Sequence, residues 1–404
     1  MRSRRRTQVG IVGAGPAGLA LANALTRQGV DCVVLERASR VRVEGRQRAG
    51  LVEDRTVRWL RSQGLADRLL VEATRHDWCD FRCLGHTVRV DYGAYSGGRQ
   101  HYVYPQQSLV RDLVATLEKA GSPPFFSHTV RAVTNITGRR ARLECEEGME
   151  IECDYVVGCD GFRGISRAAL PATGHRVHNR RYPYDWLTVL AEVDRPAEGV
   201  RYAVHRAGFA GMMPRGPRLS RFYLQCPPGE PVTAWPARRI VAELRTRLAD
   251  GDPAGVPAIG ALPEVRMLRM HSSVLTPLRH GRLLLAGDAA HVLTPSGAKG
   301  MNLAIADAAA AADALVARLR DGDEGPLAGY SAARLADVRR VLGFSEWLLA
   351  LLHLPADPAA DPAKELAERL ATVRRLATPG ARARAFAHRY VGSGVREGCD
   401  DGPD

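Results

Sequence analysis

Lysine is scarce in this chain. Only three of its 404 residues are lysine, so arginine supplies almost all of a formal net charge of +13. The excess of positive charge indicates either a solvated basic surface or the steering of anionic ligands toward a binding site. No basic stripe alternates with stacking aromatic residues, and this disfavours nucleic-acid binding.

The sequence also lacks cysteine pairs at zinc-binding spacing and long apolar runs. Its eight cysteines (32, 79, 83, 145, 153, 159, 226 and 399) predict reduced, mostly structural thiols in a cytoplasmic protein. No run reaches the roughly 18 consecutive apolar residues of a membrane span, so we expect none. Basic residues 1–6 precede an apolar stretch, as in a signal peptide, but cleavage there would destroy the motif described next.

Residues 7–36 form the most informative segment of the chain. A short β-branched run is followed by Gly13-Ala-Gly-Pro-Ala-Gly18, an apolar helical pattern and a second strand that ends in Glu36. The first glycine allows a tight turn, the second lets a pyrophosphate approach the backbone, and the third lets the helix pack on the strand. Glu36 stands where a carboxylate binds ribose hydroxyls. The segment predicts a dinucleotide site; the alternative is a fortuitous glycine-rich turn.

Residues 37–48 contain five arginines that follow no helical or strand period. One interpretation is a solvated loop. The other, which we favour for Arg46 and Arg48, is contact with pyrophosphate, because neighbouring small residues allow close approach.

Two later apolar segments resemble buried strands that end in acids, at Asp160 and at Asp288. Residues from about 176 to 275 are instead rich in proline, glycine and aromatic residues. We therefore predict an α/β fold with a Rossmann-like dinucleotide-binding domain, a β-rich insertion and a helical C-terminal region. The predicted boundaries are 1–175 for the first part of the dinucleotide domain, 176–280 for the insertion, 281–345 for the return segment and 346–404 for the helical region.

The order GAGPAG, Cys159-Asp160-Gly161, Gly287-Asp288 resembles the single-component FAD-dependent aromatic hydroxylases (class A flavoprotein monooxygenases). Within them, GRQRAG at 45–50, CDGF at 159–162, GISR at 164–167 and GAKG at 297–300 are similar to the 4-hydroxybenzoate 3-hydroxylases. The resemblance extends from about residue 7 to 391. It implies that FAD is the bound dinucleotide. The implied FAD contacts are Gly13, Gly15, Ala17, Gly18, Glu36, Arg37, Arg46, Arg48, Gln106, Asp160, Asp288, Gly300, Met301 and Asn302.

The resemblance also implies a substrate site in the β-rich domain. Arg215 matches the family's carboxylate-binding arginine, and Tyr223 and Pro295 match other substrate contacts. Tyr202 and Tyr390 match tyrosines that relay the phenolic proton, and His76 matches the histidine at the outer end of that path. Without the resemblance, these side chains would be read as packed tyrosines, a lone histidine and a solvated arginine.

The chemistry of such enzymes explains these residue types. Reduced flavin and O2 form an electrophilic hydroperoxide, so the aromatic ring must be electron-rich, and deprotonating its phenol makes it so. A buried arginine anchors a benzoate and fixes which ring carbon faces the flavin. The implied activity is NAD(P)H- and O2-dependent hydroxylation of 4-hydroxybenzoate ortho to the phenol.

Two positions depart from the family pattern. Met213 replaces a serine that also touches the carboxylate, and Gly211 replaces a leucine and is expected to open space. These changes favour, as an alternative, a ring-substituted 4-hydroxybenzoate bearing an amino or second hydroxyl group.

The nicotinamide site has no second glycine fingerprint. Ala38 and Arg42 occupy the positions that help choose the cofactor in the family, and neither matches the usual residue. Arg40 and Arg42 could accept a 2′-phosphate, which favours NADPH over NADH.

Two functions of other classes remain open: an FAD oxidase or dehydrogenase, and a non-catalytic flavin-binding sensor. We further expect no metal and no nucleic-acid or membrane partner, and a homodimer is the oligomeric state that we consider.

Overall fold

The structure is a computed structural model that describes residues 3–48, 50–251, 255–355 and 361–392. Ala49, within the GRQRAG motif, and Cys399 lie outside the described residues.

A largely parallel sheet of eight strands forms the first layer. Its main path runs β19-β20-β11-β1-β2-β8, and β10 and β9 extend it from β11. The central strands are buried apolar runs, as expected for a parallel sheet covered on both faces. The strands are β1 Ser3–Val12, β2 Cys32–Glu36, β8 Phe125–Phe126, β9 Val130–Thr134, β10 Ala141–Cys145, β11 Met149–Gly158, β19 Arg279–His280 and β20 Leu283–Leu285.

Helices cover this sheet and complete its core. α1 (Pro16–Arg27) packs against α6 (Gln106–Lys119) and α9 (Lys299–Val316), and α9 in turn packs against α10 (Gly325–Leu352). Shorter helices lie in the connections: α2 Arg40–Glu44, α3 Asp54–Ser62, α4 Asp67–Glu72, α5 Tyr92–Tyr95 and α7 Ile165–Ala168. The turn at Gly64, which has a positive φ, separates α3 from α4.

A second, seven-stranded sheet carries the β-rich region in the order β17-β13-β16-β15-β14-β5-β6. Helix α8 (Ala237–Ala249) packs against β14, β15 and β16. The strands are β5 Cys79–Cys83, β6 His86–Val90, β13 Asp185–Glu192, β14 Val200–His205, β15 Gly208–Gly216, β16 Leu219–Cys226 and β17 Glu264–Leu268. The sheet therefore extends beyond the predicted segment 176–280, because β5 pairs in parallel with β14 and brings β6 with it.

Two three-stranded sheets and the C-terminal helices connect these layers. One sheet has the order β3-β7-β4 and the other β12-β18-β21. Their strands are β3 Leu51–Glu53, β4 Thr74–His76, β7 His101–Val103, β12 Arg176–Arg181, β18 His271–Thr276 and β21 His291–Val292. Helices α11 (Pro362–Ala377) and α12 (Ala381–Tyr390) pack against each other, and α12 also contacts α5.

One helix among the described residues, Ser296–Asp321, is long and apolar enough to cross a membrane by length and composition, with a mean hydropathy of 1.3. More than half of its apolar window (56%) is buried inside the fold. Helix α9 forms most of this segment and is held between α1 and α10, so its apolar character is that of a core helix.

Candidate functional site

The glycine turn between β1 and α1 has the geometry that its sequence predicts. Gly13 has φ of 106°, and a Cβ there would lie 2.5 Å from the Cys159 carbonyl oxygen. A Cβ at Gly18 would lie 2.0 Å from the Gly13 carbonyl oxygen. At Gly15 a Cβ would meet nothing within 4 Å. The turn is thus closed toward the sheet and open in front of the α1 N-terminus, where phosphate oxygens can approach free N–H groups.

Glu36 lies at the end of β2, next to this turn. Its Oε2 accepts a hydrogen bond from the Ala14 N–H (2.9 Å), and its Oε1 accepts one from the Ala38 N–H (2.8 Å). These bonds fix the carboxylate while leaving lone pairs for further donors. Ribose hydroxyls are donors of that kind.

Two more acids follow strands of the same sheet. Asp160 follows β11, and one of its oxygens, Oδ2, accepts from the Ser166 N–H (2.9 Å). Burial raises the pKa of Asp160, and the nearby Arg37 opposes that rise. Asp288 follows β20 and is exposed. The acids thus lie at the carboxyl edge of the sheet, where open α/β sheets bind ligands.

The N-terminus of α9 forms a second backbone surface on this side. Gly297 and Ala298 have φ of 70° and 54°, which turns the chain sharply into the helix. A Cβ at Gly300 would meet nothing within 4 Å. The Asn302 side chain is already engaged, because it bonds Glu53 N, Leu51 O and Ala298 O. The backbone at Met301 and Asn302 is therefore held in place at the positive end of the helix dipole.

A buried ion pair that the sequence analysis did not predict holds this helix end. Lys299 Nζ lies 2.7 Å from Glu53 Oε1, and it also donates to the carbonyls of Arg389 and Tyr390. Burial lowers the pKa of Lys299, which Glu53 partly opposes. The pair joins the α9 N-terminus to β3 and to the end of α12. The rarity of lysine was the only signal in the sequence.

The remaining predicted FAD contacts lie in exposed segments near the start of the chain and on two helices. Arg37, Arg46 and Arg48 are exposed, Ala17 is buried in α1, and Gln106 begins α6. Open backbone at two glycines, two helix N-termini, a fixed carboxylate and exposed guanidinium groups fit FAD. Among the described residues, no group of three or more His, Cys, Asp or Glu side chains could hold a metal ion.

Arg215 lies at an irregularity in β15. The pairing with β16 shifts between Pro214 and Gly216, and a bulge of this kind redirects a side chain. The residue is 9% exposed, and its Nη2 donates to Gln107 Oε1 (2.8 Å). Its Nη1 is buried with no hydrogen-bond partner among the described residues, next to Gly50. Burial, together with the nearby Arg221, lowers the pKa of Arg215 to about 10, so it remains a cation at neutral pH.

Three of the predicted substrate residues stand in one row across the second sheet. Tyr202 pairs with Gly211, and Gly211 pairs with Tyr223. The expectation that Gly211 opens space was wrong, because the Phe209 ring occupies it: a Cβ at Gly211 would lie 2.9 Å from Phe209 Cζ. Met213 is buried, and its Sδ accepts from the Tyr223 hydroxyl (3.6 Å).

The two predicted tyrosines of the proton path are in direct contact. The Tyr202 and Tyr390 hydroxyl oxygens are 2.9 Å apart, and both side chains are buried. Burial raises the pKa of each. Pro295, the remaining predicted contact, is half-buried just before the turn into α9.

His76, which was predicted as the outer end of the proton path, does not follow Tyr390 directly. The structure shows no direct hydrogen bond between it and Tyr390 within the described ranges. Its Nδ1 is instead 2.8 Å from the Tyr92 hydroxyl, which is 3.0 Å from His101 Nδ1. Tyr92 and His101 were not predicted, because an isolated tyrosine and histidine carry no signal in a single sequence.

Comparison with known proteins identifies the family of the chain. A family model described as an FAD binding domain matches residues 6–345. The chain is 35% identical to p-hydroxybenzoate hydroxylase of Acinetobacter baylyi over 86% of each chain. It is 30% identical to the 3-amino-4-hydroxybenzoate 2-monooxygenase PtmB3 of Streptomyces platensis, over 91% of this chain and 95% of that one.

Solved structures share the fold. p-Nitrophenol 4-monooxygenase PnpA of Pseudomonas putida superposes with a TM-score of 0.81 at 21% identity, covering 97% of this chain and 100% of that one. PqsL of Pseudomonas aeruginosa, in complex with 2-aminobenzoylacetate, superposes with a TM-score of 0.76 at 25% identity, covering 91% and 100%. The chain therefore belongs to the single-component FAD-dependent aromatic hydroxylases.

Proposed function

We propose that this hydroxylase acts on a 4-hydroxybenzoate-type acid and inserts oxygen ortho to the phenol, with NAD(P)H and O2 as co-substrates. The observation that carries the proposal is the buried Arg215, whose Nη1 lacks a partner within the described part of the chain. Leaving a buried N–H unpaired costs about 1–3 kcal/mol, and more for a charged group. A carboxylate on the substrate would satisfy it with a charge-assisted hydrogen bond.

The residues around Arg215 give the ligand an orientation. With its carboxylate at Arg215, we place the aromatic ring of the substrate beside the row formed by Tyr202, Gly211 and Tyr223. A hydroxyl para to the carboxylate would then reach Tyr202, whose own hydroxyl contacts Tyr390. In this arrangement the substrate phenol gives its proton to Tyr202 as Tyr202 passes a proton to Tyr390. The resulting phenolate is the electron-rich ring that hydroxylation requires.

FAD, when bound, supplies the redox chemistry and O2 activation. Glu36, Asp160, Asp288, the α1 N-terminus and Arg46 and Arg48 would hold its nucleotide and ribityl portions. The positive end of α9, at Gly300, Met301 and Asn302, would stabilise negative charge on its reduced ring.

A ring-substituted 4-hydroxybenzoate is the second candidate. Met213 offers a thioether where the family has a hydroxyl, and its Sδ already accepts from Tyr223. One relative of this chain is named for 3-amino-4-hydroxybenzoate. Because Phe209 fills the space at Gly211, room for a substituent must come from the side of Met213.

We propose NADPH rather than NADH as the preferred nicotinamide co-substrate, with Arg42 rather than Arg40 as the residue that binds its 2′-phosphate. Arg40 forms ion pairs with Glu44 and Glu118, both at 2.7 Å. Arg42 is exposed on α2 and remains the candidate for a 2′-phosphate. A cytoplasmic location and a homodimer also stay predictions.

The test is consumption of NADPH and NADH by the purified FAD-loaded protein with a small panel of benzoates and product analysis by mass. We expect 4-hydroxybenzoate or a ring-substituted derivative to stimulate consumption and to gain one oxygen atom. Turnover without ring hydroxylation would favour an oxidase or dehydrogenase. Bound FAD with no substrate-dependent consumption would favour a sensor.

A further inference from the structure

The tyrosine pair is followed in space by a second buried polar cluster, formed by Tyr92, His76 and His101. The cluster arises from strand register: His76 on β4 pairs directly with His101 on β7, and Tyr92 at the start of α5 reaches both rings. Tyr92 and His101 are fully buried, and His76 is 4% exposed on the edge strand of its sheet. His76 is thus the member of the cluster nearest to solvent.

The hydrogen bonds of Tyr92 suit a relay. Its hydroxyl oxygen lies 2.8 Å from His76 Nδ1, 3.0 Å from His101 Nδ1 and 2.8 Å from the His76 carbonyl oxygen. Tyrosine has one hydroxyl hydrogen, so it donates in one of these contacts and accepts from a ring N–H in another. Different proton arrangements are therefore available in nearly the same heavy-atom geometry. The Nε2 atoms of both histidines are buried with no partner among the described residues.

The cluster lies directly against the tyrosine pair. The Tyr390 ring packs edge-on to Tyr92 and to His101, with centroid separations of 4.9 and 5.0 Å. The titratable groups that face the cluster are Cys79 beside Tyr92 and Tyr390, Asp77 beside His76, and Lys299 beside His101. Burial lowers the pKa of His76 to about 4 and that of His101 as well, so both rings are neutral at pH 7. A neutral imidazole has one lone pair that can take up a proton.

We propose that Tyr92 and His101 are positioning residues that extend the proton path from Tyr390 to His76, with the Tyr92 hydroxyl as the connecting group. The inference rests on the proposed function, since it needs a phenol at Tyr202. The substrate O–H bond breaks as an O–H bond forms on Tyr202, and a proton moves from Tyr202 to Tyr390. The cluster then receives one proton from Tyr390 and releases one to solvent at His76. No electron is transferred in these steps.

The test is a rapid pH jump on the oxidised FAD-loaded protein saturated with 4-hydroxybenzoate, followed by the absorbance of the bound phenolate. This measures proton transfer without turnover. We expect Tyr92→Phe to slow phenolate formation by about 10-fold or more while changing the dissociation constant of the ligand little. The matched control is Tyr95→Phe on the same helix, whose hydroxyl donates to the Ala377 carbonyl (3.1 Å), and it should match the wild type.

The outcomes separate this inference from the proposed function. If Tyr202→Phe slows phenolate formation and Tyr92→Phe does not, the extended path is wrong while the proposed function stands. If neither 4-hydroxybenzoate nor a ring-substituted derivative binds, or if Tyr202→Phe changes nothing, both are wrong. Should Tyr92→Phe fold poorly, His101→Gln interrupts the same cluster with a polar side chain. Wild-type rates in that variant would equally overturn the inference.

Discussion

Arg215 shows how one buried cation can define the ligand that a pocket accepts. Its burial lowers its pKa to about 10, and one of its nitrogens has no partner in the described part of the protein. Both observations describe a charge that is incompletely compensated by the protein. A bound carboxylate compensates it.

We expect Arg215→Ala to weaken binding of an aromatic carboxylate by about 2–5 kcal/mol, because the ligand charge would remain buried and unpaired. The measurement is ligand titration of the FAD-loaded protein. Arg218→Ala is the matched control, since it removes an exposed arginine from the turn after β15. Unchanged affinity in Arg215→Ala would remove this residue from the site.

Gly211 and Phe209 form a second pair of coupled residues. A leucine at position 211, the residue type that the family has there, would place its Cβ 2.9 Å from the Phe209 ring. We expect Gly211→Leu to destabilise the protein by about 1–3 kcal/mol through overpacking. In a double-mutant cycle with Phe209→Ala, measured by thermal unfolding, the two effects should be non-additive. Additive effects would show that the ring does not fill this space.

At the scale of elements, the α9 N-terminus depends on the buried Lys299–Glu53 pair. Glu53→Gln leaves the Lys299 ammonium without its counter-charge, and breaking such a pair costs about 3–5 kcal/mol. We expect a corresponding loss of stability in denaturant unfolding. Glu152→Gln serves as the control, because its pair with Arg142 is surface-exposed, at 42% and 46%, and should contribute less than about 1 kcal/mol. Equal losses in the two variants would contradict this account of α9.

The elements also show how far the sequence predicted the structure. The motif over 7–36 predicted β1, α1 and β2, because each of its glycines is needed for a local steric reason. Interactions between distant segments could not be predicted: β5 joins the second sheet only through its parallel pairing with β14, and Arg215 acquires its direction from a bulge.

Some residues of the candidate site could be predicted from the sequence and others could not. The resemblance supplied Tyr202, Tyr390 and Arg215 as candidates, and the structure brings the two tyrosine hydroxyls into contact. Tyr92 and Gln107 were missed because their roles come from partners far away in the chain. The expectation that Gly211 opens space was wrong because the ring of Phe209, on the same sheet face, fills that space. The residue type at position 211 alone does not show which neighbour packs there.

For the whole molecule, buried neutral histidines make stability depend on pH. Burial lowers the pKa of His353 to about 3, and its Nε2 accepts a hydrogen bond from the Trp186 indole N–H (2.9 Å). Because its pKa in the unfolded chain is higher, near 6.5, the unfolded state takes up the proton first as the pH falls. The stabilising contribution is therefore present above pH 6.5 and is lost below it.

We expect the free energy of unfolding to fall by about 2 kcal/mol between pH 7 and pH 5 from His353 alone. His353→Gln cannot titrate, so it should reduce the pH dependence by that amount in urea unfolding at the two pH values. His178→Gln, on an exposed part of β12, is the control. An unchanged pH dependence in His353→Gln would show that His353 is not the titrating group.

We propose that an FAD site at one sheet edge works together with a cationic anchor in the second sheet and a proton path that begins there at Tyr202. The most direct test of this proposal is reaction of 4-hydroxybenzoate with NADPH and isotopically labelled O2, with the product identified by mass and NMR. We predict one labelled oxygen on the ring carbon next to the phenol. Labelled hydrogen peroxide alone, with every aromatic acid of the panel returned unchanged, would contradict it.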